Sequence, residues 1–276
     1  MTDYQRAFYD AHFAKRAGAV RDQLAHPLFR SFNDRVAELV LASGPPPRSQ
    51  GRSGPPPRSQ GRSGPAEGRV RVYEPGCGEG LVAAALARVA ARRGVELVYT
   101  GADLSGAALD LAATSVPGAD LRVGDAAEVT AALEPASQDV VVAKNLLHHL
   151  PDPAAFLRSA ARALAPGGRV VAFEPRLGCP QFLLFNVLAP RRERHYFEGQ
   201  RRNRAAFDAA GYRVLRRQRF GWLPYELAFV IRPAVFRRLF STGDPATIAR
   251  VSALDDRLTA AVPALACYEV WVGQPA

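Results

Sequence analysis

From Arg69 onward the chain alternates between short β-branched runs and helix-length stretches, and this alternation restricts the possible folds more than any other feature. The runs are VRVYEP (70–75), ELVYTGADLS (96–105), ADLRVGDA (119–126), DVVVAKN (139–145) and GRVVAFEP (168–175), each ending in polar or glycine residues. Helical stretches fall between them at 80–93, 106–114 and 153–164. Strands that alternate with helices build a parallel sheet covered on both faces, so the chain reads as α/β, a Rossmann-like doubly wound sheet, and two later strands near 212–220 and 266–273 bring the count to seven. Ligands of such sheets sit beyond the carboxyl ends of the strands, near the point where strand order reverses. The last residues of each run are therefore the ones to read for function.

Flanking segments give the organisation of the rest. Residues 1–43 read as a helical cap, with Tyr4, Phe8 and His12, then Val36, Leu39 and Val40, at helical spacing and Pro27 interrupting between two segments. GPPPRSQGRS follows at 44–53 and is repeated unchanged at 54–63; it has nothing apolar to bury, so 44–66 reads as a flexible, polyproline-like linker. Residues 67–176 form the α/β core. Residues 177–276 complete the sheet and wall an acceptor pocket: a helix near 199–210, strands near 212–220 and 266–273, and a helical insertion over 223–262.

Bulk properties narrow the class. A chain of 276 residues that is 48% hydrophobic can bury one substantial core. It lacks a run of about eighteen uncharged apolar residues, and MTDYQRAFYD is not a basic-then-apolar leader, which predicts a soluble, cytoplasmic protein. Cys77, Cys179 and Cys267 are odd in number, far apart and without metal-ligand spacing, so they read as free thiols with no disulfide framework and no metal. The net charge of +10 is concentrated between Arg191 and Arg219. Arginines alone carry no base readout and no base-flipping tetrad is present, so a solvated surface is the first reading and nucleic-acid binding the alternative.

The most specific stretch is VYEPGCGEG, residues 72–80. A dinucleotide fingerprint spaces its glycines G-x-G-x-x-G to rest a pyrophosphate on a helix N-terminus. Here Gly76, Gly78 and Gly80 are spaced G-x-G-x-G, with Leu81 where the third glycine would fall. Glu74, just before the turn, would repel a phosphate and attract an ammonium group. The turn suits a ligand that is cationic where it meets the first strand.

S-adenosylmethionine meets that description, and YEPGCGEG resembles motif I of the class I S-adenosylmethionine-dependent methyltransferases, in particular the UbiE-like or methyltransferase type 11 group. Asp103 in TGADLS, Asp125 in VGDA, then KNLLHHLPDP and ALAPGGRVVAFEP follow in the family's order, and the resemblance covers about residues 68–176. It implies that Glu74, Gly76, the backbone of Cys77, Gly78 and Gly80 hold the methionine portion. Asp103 would accept from the ribose hydroxyls and Asp125 from the adenine amine, with Leu104, Ala126 and Asn145 completing the cofactor set. Each acid also has a simpler reading: Asp103 or Ser105 as cap of one helix, Asp125 as cap of the next.

Methyl transfer to a hydroxyl needs a base. His148 and His149 in LLHHL and Glu174 in FEP fall at the mouths of neighbouring strands, a pair that resembles the histidine and acid of some sugar O-methyltransferases of the family. His148 is the candidate base and His149 reads as structural; the alternative is that both only shape the pocket floor. Lys144 is expected to point away from the sulfonium. Tyr4, Phe8, Tyr9 and Phe13 form an aromatic stripe that is either plain core or a lid over the cofactor. FLLFNVLAP (182–190) and the apolar stretch 221–240 suit an apolar small-molecule acceptor, a peripheral membrane contact or a homodimer face. The functional expectation is O-methylation of a small, largely apolar acceptor, a secondary metabolite or a lipid- or quinone-like molecule. An RNA methyltransferase and a non-methylating, cofactor-binding derivative are the rivals.

Overall fold

The computed structural model describes residues 3–14, 25–44, 68–176, 179, 199–221 and 244–276. The tandem repeat and the apolar stretches at 182–190 and 222–240 lie outside these residues. Among the described residues no helix is long and apolar enough to cross a membrane.

Seven strands form one sheet in the order β3-β2-β1-β4-β5-β7-β6. They are β1 (Gly68–Pro75), β2 (Val95–Asp103), β3 (Asp120–Val123), β4 (Gln138–Lys144), β5 (Leu164–Pro175), β6 (Tyr212–Phe220) and β7 (Tyr268–Pro275). The first five pair in parallel, whereas β7 runs antiparallel to both β5 and β6. Strand order reverses between β1 and β4, so the crevice of a doubly wound sheet opens beyond Pro75 and Lys144. β4 is central and buried along nearly its whole length, which is why DVVVAK reads as a continuous apolar run; the edge strand β3 is short and largely exposed.

The helices are α1 (Asp3–Ala14), α2 (Pro27–Ser43), α3 (Leu81–Arg92), α4 (Gly106–Ser115), α5 (Ala126–Ala131), α6 (Pro153–Ala163), α7 (Gly199–Ala209) and α8 (Pro245–Ala261). Pro27 occupies the first turn of α2, where its missing N–H costs no hydrogen bond, so it starts this helix. From there Leu28, Phe29, Phe32, Val36, Ala37 and Val40 are buried on one stripe. Each large member contributes about 1.5–3 kcal/mol by leaving water. The stripe packs with α3 on the face that carries Val70, Val72, Val140, Val142 and Phe173. The opposite face carries Tyr73, Val141, Ala143, Ala172 and Trp271 under α5, α6 and α7.

The expected strands and helices agree with the observed ones to within a few residues. The last strand begins at Tyr268, two residues after the expected start, because Cys267 N–H is taken by the carbonyl of Gly221. The helical insertion between β6 and β7 is represented by α8. AAEVTA in α5 has six residues, too few to display a helical period, so only the capping position of Asp125 pointed to it.

One buried ion pair fastens the amino-terminal half of the sheet. Asp139 on β4 accepts from the backbone N–H, Nε and Nη2 of Arg71 on β1 at 2.8–3.1 Å. Asp139→Ala leaves the half-buried guanidinium and a strand N–H without their acceptor, and is expected to lower unfolding free energy by about 2–4 kcal/mol in urea titration.

Candidate active site

At the end of β1 the chain turns through Gly76, Gly78 and Gly80, whose φ angles of 68°, 52° and 78° all lie in the left-handed region. Cys77 N–H donates to Ala102 O on β2 at 2.9 Å, and Gly80 N–H closes the turn onto Cys77 O at 3.0 Å. Gly80 leads directly into α3, and a Cβ there would stand 3.0 Å from Ala112 Cα of α4. The third glycine of this motif thus serves helix-to-helix packing as well as dihedral freedom.

Asp103 clasps the turn from the neighbouring strand. Its Oδ2 accepts from Gly78 N–H and its Oδ1 from Ser105 N–H, both at 2.9 Å. Burial raises its pKa while those two N–H groups oppose the rise. Ser105, not Asp103, caps α4, its hydroxyl accepting from Ala108 N–H. Leu104 between them is buried. Asp125 does cap the following helix, accepting from Ala127 N–H at 2.8 Å, with Ala126 buried as the first helical residue.

Glu74 is buried at the end of β1 and takes a 2.7 Å hydrogen bond from the Tyr99 hydroxyl. Gly101 stands opposite Glu74 in the strand register, and a Cβ on it would lie 3.0 Å from Tyr99 Cε1. The missing side chain is the space through which Tyr99 reaches Glu74. Desolvation pushes the Glu74 pKa up to about 8, against the opposing effects of Tyr99 and the Lys144 charge. Burial, reinforced by Glu74 and Asp103, also pushes the Cys77 thiol well up, which leaves that residue only its backbone to contribute.

The exit of β4 carries the second group. Asn145 adopts φ 54°, a left-handed conformation that asparagine tolerates, and donates its N–H to Phe173 O of β5. Its Oδ1 is buried without a hydrogen-bond partner. The Lys144 ammonium lies over the ring of Tyr268 on β7, 5.4 Å from the centroid.

Next comes a single 3-10 turn, Leu147–His149, whose shape is set by Glu174 at the end of β5. Glu174 Oε1 accepts from the N–H groups of Leu146 and Leu147 at 3.1 and 2.8 Å, and Oε2 meets His148 Nδ1 at 2.6 Å. Both side chains are 2% exposed, so this contact is made out of water. A carboxylate at Nδ1 keeps the proton on that nitrogen and leaves the lone pair on Nε2. The His149 ring packs on His148 with centroids 4.0 Å apart, and Arg202 of α7 braces the end of the turn through the carbonyls of Leu150 and Pro151.

Helix α1 also reaches the turn, in part through a residue that sequence reasoning missed. Asp10 accepts from the Ser105 hydroxyl at 2.5 Å, and the ring of Phe13 lies 3.8 Å from where a Gly78 Cβ would stand. Tyr9 stacks on Phe13 at 6.5 Å. These residues of the aromatic stripe therefore lie over the glycine turn. The side chains of Tyr4 and Phe8 lie outside the described residues. Nothing marked Asp10, one of two acids in α1.

Comparison with known proteins decides what this arrangement belongs to. Residues 73–172 match the family described as "Methyltransferase domain". Over this span, from β1 into β5, the chain resembles the class I S-adenosylmethionine-dependent methyltransferases. A ubiquinone biosynthesis O-methyltransferase from Ralstonia nicotianae is 40% identical over 103 residues, 36% of this chain and 41% of that protein. Another, from Alkalilimnicola ehrlichii, is 36% identical over 126 residues, 44% of this chain and 47% of that protein. The chain thus spans less than half the length of these curated relatives. A solved chain from the complex between the Haloferax volcanii Trm112 methyltransferase activator and a methyltransferase covers 97% of this chain and 98% of its own length, with TM-score 0.54 and 20% identity. That likeness shows the shared fold.

The methyltransferase domain carries a pH signature at Glu74. Its folded pKa of about 8 lies above the ordinary 4.5, so the folded state holds a proton that the unfolded chain has lost. The stabilising contribution is complete below about 4.5 and disappears as pH rises toward about 8. Urea unfolding across that window is expected to show stability falling with pH, and Glu74→Gln is expected to flatten the decline.

Proposed function

We propose that the chain uses S-adenosylmethionine to methylate an oxygen of a small, largely apolar acceptor, a secondary metabolite or a lipid- or quinone-like molecule. The observation that carries the reading is the buried His148–Glu174 pair at the mouths of adjacent strands. The curated relatives, named as O-methyltransferases of ubiquinone biosynthesis, support the acceptor class.

The residues present fit the cofactor. The left-handed turn beneath Phe13 presents bare backbone at Gly76, Gly78 and Gly80, and Asn145 Oδ1 is a buried acceptor that lacks a protein donor. Asp103 and Asp125 each hold backbone N–H groups, yet a carboxylate has about four acceptor sites. Capping is thus compatible with accepting from ribose hydroxyls at Asp103 and from the adenine amine at Asp125. Glu74 lies beneath the turn, where an approaching ammonium favours its ionised form. The bound cofactor supplies a methyl group already activated by its sulfonium. His148 Nε2 takes the acceptor's hydroxyl proton as the oxygen attacks in line, and Glu174 stabilises the imidazolium through Nδ1. His149 supports the ring of His148, and α1 excludes water from above the turn.

Among the described arginines of the cluster, four are engaged within the molecule, which disfavours the nucleic-acid alternative. Arg217 and Arg219 both pair with buried Glu269, Arg204 pairs with Asp208, and Arg202 binds backbone carbonyls.

His148→Ala is expected to lower turnover by about 10²–10⁴-fold. Cofactor affinity by calorimetry should stay within a few-fold; loss of binding would assign His148 a structural role. Thermal shift should show stabilisation by S-adenosylmethionine and its demethylated product but none by NADH. A shift with NADH alone would overturn the cofactor assignment.

A further inference from the structure

Cys179 and Cys267 are 88 residues apart in sequence, yet their sulfurs lie 3.2 Å apart and both thiols are buried. Cys179 follows the end of β5, and Cys267 immediately precedes β7. The backbone holds both in place: Arg176 N–H donates to Cys267 O, Cys179 N–H donates to Arg176 O, and Cys267 N–H donates to Gly221 O. The guanidinium of Arg176 is itself buried, anchored by the carbonyls of Pro263, Ala264 and Ala266, and interacts electrostatically with Cys179. A fixed cation beside a thiol favours the thiolate, the form that reacts. The third thiol, Cys77, has no such surroundings, lying instead near the carboxylates of Glu74 and Asp103.

We propose that Cys179 and Cys267 form a reversible oxidation site that takes a hydroperoxide as its oxidant. The Arg176 charge acts on Cys179, but Cys267 retains slight exposure whereas Cys179 has none, and its sulfur accepts from the Cys179 thiol, so Cys267 is the sulfur that attacks the peroxide oxygen as a thiolate. The O–O bond breaks, giving a sulfenic acid and one hydroxide that is protonated to water. Cys179 sulfur then attacks the sulfenic sulfur; the S–S bond forms and a second water leaves with the thiol proton. Two thiols and one hydrogen peroxide thus become one disulfide and two waters. Sulfurs already in contact need approach by only about 1 Å to reach bonding distance, so the sheet need not rearrange. The bond would link the exit of β5, which carries Glu174, to the entry of β7.

The test treats the reduced full-length chain with stoichiometric hydrogen peroxide, then counts thiols in denaturant and maps proteolytic peptides by mass spectrometry. Thiols are expected to fall from three to one, with a mass loss of two hydrogen atoms, a Cys179–Cys267 linked peptide and reversal by dithiothreitol. Closing an 88-residue loop in its native geometry should raise Tm by several degrees. Cys77→Ser should leave these changes intact, and Cys267→Ser should abolish them. Persistence of all three thiols, prior loss of Cys77, stepwise oxygen addition without crosslinking, or crosslinks between chains would each overturn the proposal. The wild-type peptide map decides this even if a variant fails to fold, and it does so independently of the acceptor's identity.

Discussion

The carboxylate of Glu174 is the interaction on which the far side of the crevice depends. One oxygen holds the two N–H groups that shape the turn after β4, and the other holds the imidazole carried by that turn. An isolated buried carboxylate would be expensive; three donors converging on it offset that cost and make the surrounding backbone difficult to move. Through that one group the end of β5 positions the end of β4. The orientation of His148 is therefore a property of the sheet rather than of a loop.

Alternation along the strands separates the site's two acids. Val70 and Val72 share their face with Glu74, under α2 and α3, while Val170 and Ala172 share theirs with Glu174, under the later helices. Both acids stand at the carboxyl edge where strand order reverses, so they reach the same crevice from opposite sides. Desolvation favours the neutral form of Glu74 against the opposing hydrogen bond from Tyr99, whereas Glu174 meets the N–H groups of Leu146 and Leu147 and the ring of His148. The same side-chain chemistry is thereby divided into a desolvated acid beneath the glycine turn and an acid that fixes the turn after β4.

Much of this was legible beforehand because it is local. The parallel core followed from the period of the runs, and the glycine spacing together with Glu74 separated a cationic nucleoside from a dinucleotide. Asp103, Asp125, Asn145, His148 and Glu174 were legible as strand-end residues. Their partners were not. Ser105 prevailed over Asp103 as the helix cap because Asp103 is drawn back to Gly78, a contact 25 residues away. Tyr99 became the partner of Glu74 because Gly101 clears its path, and Asp10 of α1 reached Ser105 from the far side of the long repeat.

Period, glycine spacing and the order of acids at strand ends depend on residues within about one helix or strand of each other, so the chain alone determined the fold class, the position of the crevice and the cofactor chemistry. Cysteine usage shows where that stops. In sequence the three thiols are scattered and carry no spacing signal, whereas the antiparallel return of β7 beside β5 puts two of them in contact beside a buried guanidinium. Proximity between residues 88 positions apart is set by strand order and register, which emerge only when the whole sheet packs.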